Sequence, residues 1–207
     1  MQHSDFRPIS VTPILTRMLE RVVVREFLYP SFLTPPPSLT FFRPTGSTFA
    51  VAISLLHTIT TLIQSNPFVI VISLDFSKAF DTVRHSTLLA EMAKLELPVP
   101  VYNWLVDFFR EHAHRTVFNG EESSTASICA SIIQGSGIGP ATYTVTAADL
   151  KPLQPGNWLV KFAYDTYLVV PSVNASTRQQ EMDSIATGAA ANNLKQKQRN
   201  RISEFQA

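Results

Sequence analysis

The chain lacks the features that mark secreted, disulfide-linked and membrane-spanning proteins. Cys129 is the one cysteine among 207 residues, which excludes an intramolecular disulfide and a zinc knuckle and fits a reducing compartment. No apolar run approaches the roughly 18–20 residues that a membrane-spanning helix needs, and the N-terminal sequence MQHSDFRPIS contains no apolar signal-peptide segment. We therefore expect an intracellular protein, in the cytoplasm or the nucleus, with no membrane partner.

An excess of charge is also missing. The chain has 17 basic and 16 acidic residues, a net charge of +1. Because affinity for a nucleic-acid duplex comes largely from neutralising phosphates, this balance is weak for a protein that grips a duplex. Four basic residues crowd into 195–201 and could contact phosphate, but we expect a solvated tail there. The hydrophobic content of 45% supports one globular core.

The most informative segment that is present runs from Phe68 to Val83, with the sequence FVIVISLDFSKAFDTV. Its apolar, β-branched first part predicts a fully buried strand that ends on an acid, Asp75. A carboxylate at the end of a buried strand is costly unless a cationic group meets it, and a divalent metal ion is the obvious candidate. The alternative is a strand-end aspartate that caps the following turn.

A second segment, Trp158–Val170 with the sequence WLVKFAYDTYLVV, predicts a hairpin. Two apolar, alternating runs flank Tyr164 and Asp165, which we expect to form a two-residue turn. Tyr-Asp is poor chemistry for such a turn, which suggests that something other than folding selected these residues. Beside the Asp75 strand, the hairpin would bring Asp165 towards Asp75, and two carboxylates at strand ends suit Mg²⁺.

The rest of the chain predicts helices and one further hairpin, and therefore a mixed α/β fold. Asn119-Gly120 predicts the turn of a hairpin within residues 115–133. In the first predicted helix, apolar residues lie on one face and arginines on the other. The helices are predicted over about 13–29, 47–64, 86–94, 101–111 and 177–194, with another starting near 140.

Five segments resemble, in order, the conserved motifs of reverse transcriptases, specifically those encoded by non-LTR (LINE-like) retrotransposons. One such motif would be a weak signal, but five in the family's order over nearly the whole chain are specific. The first two resemble fingers motifs and the other three resemble palm motifs: FRPIS at Phe6–Ser10, FRPTGST at Phe42–Thr48, LDFSKAFDTVRH at Leu74–His85, QGSGIGP at Gln134–Pro140 and FAYDTY at Phe162–Tyr167.

The resemblance implies an α/β (α+β) palm-and-fingers polymerase fold, in which an antiparallel palm sheet packs against helices and a thumb is absent. Residues 1–207 would form a single partial domain with interleaved parts, the fingers mainly 1–66 and the palm mainly 67–200. The endonuclease and thumb regions that flank these parts in such elements would be missing from this chain.

The resemblance also implies an activity, RNA-directed DNA polymerisation. Its partners would be an RNA template, a DNA primer and deoxynucleoside triphosphates, and its cofactor would be a pair of Mg²⁺ ions. Asp75 and Asp165 would be the catalytic carboxylates that bind metal. Backbone amides around Lys78 and Ala79 would cradle the triphosphate, and Phe80 would lie under the incoming sugar and exclude a 2′-hydroxyl.

Three further residues would contact the substrates if the resemblance holds. Arg7 would hold the phosphates from the fingers, because its planar fork of donors fits anionic oxygens. Gln134 and Gly135 would lie beside the nucleotide and the template. A dinucleotide-binding loop is a competing interpretation of Gly135–Gly139, but its spacing is G-x-G-x-G rather than G-x-G-x-x-G, and no βαβ unit follows.

The chain departs from the family at two places. The family's third palm motif reads aromatic-small-Asp-Asp, and here Tyr164 replaces the first acid. Tyrosine, with a reference pKa of about 10, is neutral at pH 7 and binds Mg²⁺ poorly. After residues 192–195, Gln196 and Asn200 replace an apolar residue and a lysine. We therefore expect an inactive or fragmentary copy; the alternatives are a non-catalytic nucleic-acid-binding remnant and the product of a decayed element.

Overall fold

The computed structural model describes residues 11–31, 48–77, 81–110, 113–133, 135–162, 165–196 and 200–206. The chain divides into two compact units, each made of two segments that are distant in sequence. The first unit comprises Met1–Ser31 and Phe80–Val145, and the second comprises Phe32–Ala79 and Thr146–Ala207. None of the described helices has the length and the apolar character needed to cross a membrane.

The first unit is mainly helical in its described part. Helix α1 (Ile14–Val23) continues through a π-helical turn (Val24–Leu28) into the short helix α2 (Tyr29–Ser31). The predicted helices in the middle of the chain are present with shifted ends, as α4 (His85–Met92), α5 (Val99–Phe109) and α6 (Gly139–Thr146).

Helix α1 has the predicted apolar face, but most of that face is exposed. Val23, Val24 and Leu28 are buried, and so is the carboxylate-bearing Glu20. The side of α1 that carries Glu20 is buried because Glu20 accepts hydrogen bonds from backbone N–H groups of the glycine-rich loop, residues 135–139. The exposed apolar residues of this helix are Ile14, Leu15, Met18, Leu19 and Val22.

Two short ribbons form the predicted hairpin of the first unit. The outer ribbon pairs β2 (Ala113–His114) with β5 (Ala126–Ser127), and the inner ribbon pairs β3 (Val117–Phe118) with β4 (Glu121–Glu122). At the tip, Asn119 and Gly120 have φ values of 51° and 83°. A type I′ turn requires positive φ at both central residues, so the prediction of a turn at Asn-Gly is confirmed.

The second unit is built on an antiparallel sheet. The strands are β1 (Phe68–Ser77), β6 (Trp158–Phe162), β7 (Asp165–Pro171), β8 (Lys195–Gln196) and β9 (Arg201–Gln206). Their order is β6-β7-β1, and both β8 and β9 pair with the remaining edge of β1. The predicted antiparallel sheet with flanking helices is therefore confirmed.

Helices cover this sheet and close its core. Helix α3 (Thr48–Ile63) packs on one face through a buried cluster that also includes β1 and β7. Helix α7 (Arg178–Ala191) follows a 3₁₀ segment (Ser172–Thr177), and its buried residues recur every four positions, as expected for one face of a helix. The cluster under α3 consists of Ile59, Val69, Val71 and Val169.

The structure differs from two expectations. The end of the chain is exposed as expected but is not an unpaired tail, because β9 pairs with Phe68–Ser73 of β1. All six side chains of β9 are exposed, so backbone pairing rather than an apolar pattern holds this strand. The hairpin of β6 and β7 is present, but Asp165 begins β7 opposite Phe162 and is not a turn residue.

Candidate active site

Asp75 and Asp165 are direct register partners on the antiparallel strands β1 and β7. Residues opposed in this way have Cα atoms about 4.5–5.5 Å apart, and their side chains leave the sheet on the same face. Asp75 is half-buried and Asp165 is exposed. The two acids therefore lie side by side at a place that solvent reaches, as the sequence predicted.

The sheet face that carries the two acids changes from apolar to polar along β1. Side chains two apart on a strand share a face, so Asp75 shares its face with Val69, Val71 and Ser73. The first two of these lie in the buried cluster under α3. The apolar part of the face anchors the strand in the core, and the acids follow where the cluster ends.

A row of three residues lies beside the acids on this face. Ser73 of β1 is opposite Tyr167 on one side and opposite Arg201 on the other. Burial raises the pKa of the Tyr167 phenol, and the negative charge of Asp165 raises it further, so the phenol stays neutral. Arg201 is exposed and brings a positive charge to a row where the sequence predicted only a solvated tail.

Strand β6 carries a buried lysine that the sequence analysis did not single out. Lys161 is 3% exposed, and its ammonium group donates hydrogen bonds to the carbonyl oxygens of Ala147 (2.6 Å) and Leu150 (2.5 Å). Burial lowers its pKa to about 7, against an opposing pull from the charge of Asp149. The one charged residue within an apolar strand was the signal that could have identified it.

A buried glutamate holds the segment that leads into β6. Glu181 of α7 is fully buried and accepts hydrogen bonds from the backbone N–H groups of Leu153 (2.9 Å) and Gln154 (2.7 Å). The side-chain amide of Asn157 donates a third hydrogen bond to it (2.8 Å). Three donors satisfy the buried carboxylate, which makes it a fixed support for the start of β6.

In the first unit, a second buried glutamate organises the glycine-rich loop. Oε2 of Glu20 accepts hydrogen bonds from the backbone N–H groups of Gly137 and Ile138, the latter at 3.2 Å. Ser136 Oγ accepts from the N–H of Gly139 at 3.1 Å, in the manner of a helix N-cap. These amides already serve an internal carboxylate and hydroxyl, so they do not form an open phosphate cradle.

Three of the residues to which the sequence analysis assigned functions lie in the described part of the chain. Asp75 and Asp165 are brought together in the second unit, and Gly135 lies in the first unit with a φ of 100°. That backbone conformation is one that glycine adopts readily and residues with a Cβ rarely adopt. The other assigned residues lie outside the described part of the chain: Arg7, Lys78, Ala79, Phe80, Gln134 and Tyr164.

The two acids form a donor set suited to one type of metal ion. Mg²⁺ in phosphoryl-transfer sites is usually held by one or two carboxylates together with substrate phosphates, so Asp75 and Asp165 fit that role. Within the described residues, no group of three or more His, Cys, Asp or Glu is arranged to hold a metal ion. The described donor set is therefore smaller than the three carboxylates that the resemblance implies.

Comparison with known proteins gives a family match over most of the chain. The family model for reverse transcriptase (RNA-dependent DNA polymerase) matches residues 2–199. The RNA-directed DNA polymerase from mobile element jockey of Drosophila melanogaster is 28% identical over 153 residues, which cover 73% of this chain. The same match covers 17% of that relative, so the chain spans only a small part of its length.

Solved structures of low sequence identity share the fold. Apo telomerase from Candida tropicalis, truncated from the C-terminal domain, matches with a TM-score of 0.70 at 14% identity over 93% of this chain and 41% of its own. Telomerase from the same organism, in complex with a fragment of telomeric RNA, matches with a TM-score of 0.70 at 12% identity over 94% of this chain and 34% of its own. The predicted palm-and-fingers polymerase fold is confirmed. With the family match over nearly its whole length, the chain belongs to the reverse transcriptase (RNA-dependent DNA polymerase) family, and its relatives are encoded by non-LTR retrotransposons.

Proposed function

We propose that this chain is the nucleotide-adding core of a retrotransposon RNA-directed DNA polymerase, in a copy that has lost most of its activity. The observation that carries the proposal is the register of β1 and β7, which sets Asp75 opposite Asp165. Two-metal nucleotidyl transfer needs carboxylates that converge from different elements on the reacting phosphate. The pair would meet that need, and the family membership of the chain supports the proposal.

Asp75 and Asp165 would bind Mg²⁺, because ionised carboxylate oxygens are its preferred protein ligands. When bound, the metal supplies activation of the primer 3′-hydroxyl and stabilisation of the leaving pyrophosphate. Arg201, one row away on the same face, would add a cation that can bind a phosphate oxygen. These residues would place the primer end and the triphosphate at one end of the sheet.

The remaining nucleotide contacts of the proposal follow the family resemblance. Backbone amides around Lys78 and Ala79 would bind the triphosphate, Phe80 would select against a 2′-hydroxyl, and Arg7 would bind phosphates. Gln134 and Gly135 would border the nucleotide and the template. Further along the loop, the backbone N–H groups of Gly137 and Ile138 donate hydrogen bonds to Glu20. We therefore assign no nucleotide contact to these two amides.

Tyr164 is the reason that we propose low activity. It stands where the family has the first of two adjacent acids, so a three-carboxylate set is reduced to two. A neutral phenol neither offsets the charge of the metal ions nor binds them as a carboxylate does. Metal affinity and metal alignment would both fall, and the chemical step depends on both.

A nucleic-acid-binding remnant without catalysis is the second candidate function. Tyr164 favours it, because binding to phosphates does not need the missing carboxylate. The solved telomerase that is bound to telomeric RNA supports an RNA partner for this fold, although its identity to this chain is 12%. Under this function, Arg201 and the basic residues near it would keep a role and the acid pair would have none.

Primer extension separates the two functions. The wild-type chain, Tyr164→Asp and the double variant Tyr164→Asp/Asp75→Asn are assayed on an RNA template with a DNA primer and Mg²⁺, and their RNA binding is measured by gel shift. We expect wild-type extension near background, a gain of about tenfold or more in Tyr164→Asp, and loss of that gain in the double variant. RNA binding without extension in every variant would favour the remnant. Wild-type extension equal to that of an intact relative would contradict the proposed low activity.

A further inference from the structure

The middle of strand β6 is buried on both faces of the sheet, so apolar residues specify its register only weakly. Leu159 is 1% exposed and Val160 is 5% exposed, although these neighbours point to opposite faces of the sheet. Register is strongly specified where one face is apolar and the other is polar, because a slip of one residue exchanges the two faces. In β6, such a slip would exchange one apolar side chain for another at most positions.

Lys161 is the exception in this strand. Its ammonium group has two specific acceptors, the carbonyl oxygens of Ala147 and Leu150, and both lie in the same unit as β6. A slip of one residue would turn this group away from both carbonyls and towards the face that α3 covers. A buried ammonium group without acceptors is costly, so the slipped register is penalised.

Strand β7 lies between β6 and β1, so it pairs both with the strand that carries Lys161 and with the strand that carries Asp75. Lys161 is opposite Thr166, and Phe162 is opposite Asp165, the residue that faces Asp75 on β1. Thr166 is buried, and its other neighbour across the sheet is the fully buried Leu74. Residues of β6, β7 and β1 therefore lie opposite one another in continuous rows, with Thr166 between Lys161 and Leu74.

We propose that Lys161 is a positioning residue that sets the register of the β6–β7 hairpin and thereby holds Asp165 opposite Asp75. The purpose of that register rests on the proposed function of the acid pair, but the register itself does not. The segment before β6 has its own support in Glu181, which binds the amides of Leu153 and Gln154 and leaves the far end of the strand to Lys161.

The test reads the register directly by NMR in the full chain. Lys161→Met keeps the length of the side chain and removes the charge and both hydrogen bonds. The matched control is Leu159→Met, which changes a buried residue on the same face of the same strand. Cross-strand backbone NOEs are recorded for Val160 with Tyr167 and for Asp75 with Asp165, together with amide exchange rates and circular dichroism.

We expect Lys161→Met to keep its overall secondary structure, to lose or double these NOEs, and to exchange its β6 and β7 amides at least about tenfold faster. Leu159→Met should keep a single set of NOEs. Unchanged NOEs and exchange rates in Lys161→Met would overturn the proposal. Loss of the whole fold in both Lys161→Met and Lys161→Leu would overturn it as well, because the lysine would then act on general stability. None of these measurements depends on catalysis or metal binding, so the test remains valid if the proposed function is wrong.

Discussion

Asp75 and Asp165 face each other across β1 and β7, so two like charges lie directly opposite each other in an antiparallel sheet. Like charges directly opposite each other destabilise a strand pair. Both residues nevertheless lie in the native register, on the face where the apolar cluster under α3 ends. A cation held between the two carboxylates, as the proposed function requires, would offset this repulsion.

Removing one of these charges should therefore stabilise the protein when metal is absent. In the presence of EDTA, we expect Asp165→Asn to raise the free energy of unfolding by about 0.2–1 kcal/mol, the usual range for a cross-strand pair. Mg²⁺ should stabilise the wild-type protein and leave the variant unchanged, as urea unfolding can measure. An equal response of both proteins to Mg²⁺ would contradict this prediction.

The glycine-rich loop should depend on Glu20 for its stability. Glu20→Ala would leave the buried N–H groups of Gly137 and Ile138 without their acceptor, at a cost of roughly 2–4 kcal/mol in the free energy of unfolding. Glu26→Ala is the control, because Glu26 is exposed and pairs only with the exposed Arg25 at 3.2 Å, so its loss should cost less than about 1 kcal/mol. Urea unfolding of the two variants should separate them clearly, and equal losses would show that the loop does not need Glu20.

Stability should rise with pH above neutrality because of Lys161. Burial lowers the pKa of Lys161 from 10.5 to about 7, so between these values the unfolded chain binds a proton that the folded chain does not. The free energy of unfolding then rises with pH, by up to about 1.4 kcal/mol per pH unit from this group, and its contribution becomes constant below the folded pKa. Lys161→Met should flatten the slope measured by urea unfolding between pH 7 and pH 9, and parallel curves for the two proteins would rule out the effect.

Arg201 should contribute to nucleic-acid affinity through charge alone. Arg201→Ala should weaken RNA binding to a similar extent for every sequence and reduce the slope of log affinity against log salt by about 1. Arg25→Ala removes another exposed arginine, from helical residues of the other unit, and serves as the control. Gel shifts across a salt series measure both quantities, and an unchanged slope in Arg201→Ala would remove Arg201 from the interface.

The parts of the fold that could be predicted from the sequence are those with a strong local pattern. The buried strand before Asp75, the hairpin that carries Asp165 and the turn at Asn119-Gly120 all have an apolar run or a turn dipeptide that predicts them. The predicted turn included Asp165, but this residue belongs to β7, because the ends of a turn have no strong local signal. Pairing with Asp75 draws this residue into β7.

What the sequence did not reveal depends on partners that are far away in the chain. Strand β9 is held by its pairing with β1, and its side chains are all exposed, so no apolar pattern marks it. The exposed apolar face of α1 was not predictable either, because the burial of Glu20 decides which side of the helix faces inward. Lys161 and Glu181 are charged residues that local patterns place at the surface, and specific backbone partners account for their burial.

A titration with Mn²⁺, followed by electron paramagnetic resonance, tests the acid pair most directly, since Mn²⁺ replaces Mg²⁺ at oxygen-ligand sites. The wild-type protein is compared with Asp75→Asn, Asp165→Asn and the control Asp107→Asn, which alters an exposed carboxylate 3.5 Å from Arg110. We expect one site that Asp75→Asn and Asp165→Asn each weaken by at least about tenfold, or 1.4 kcal/mol, and that Asp107→Asn leaves unchanged. Equal Mn²⁺ affinity in all four proteins would show that the two acids do not bind a metal ion together.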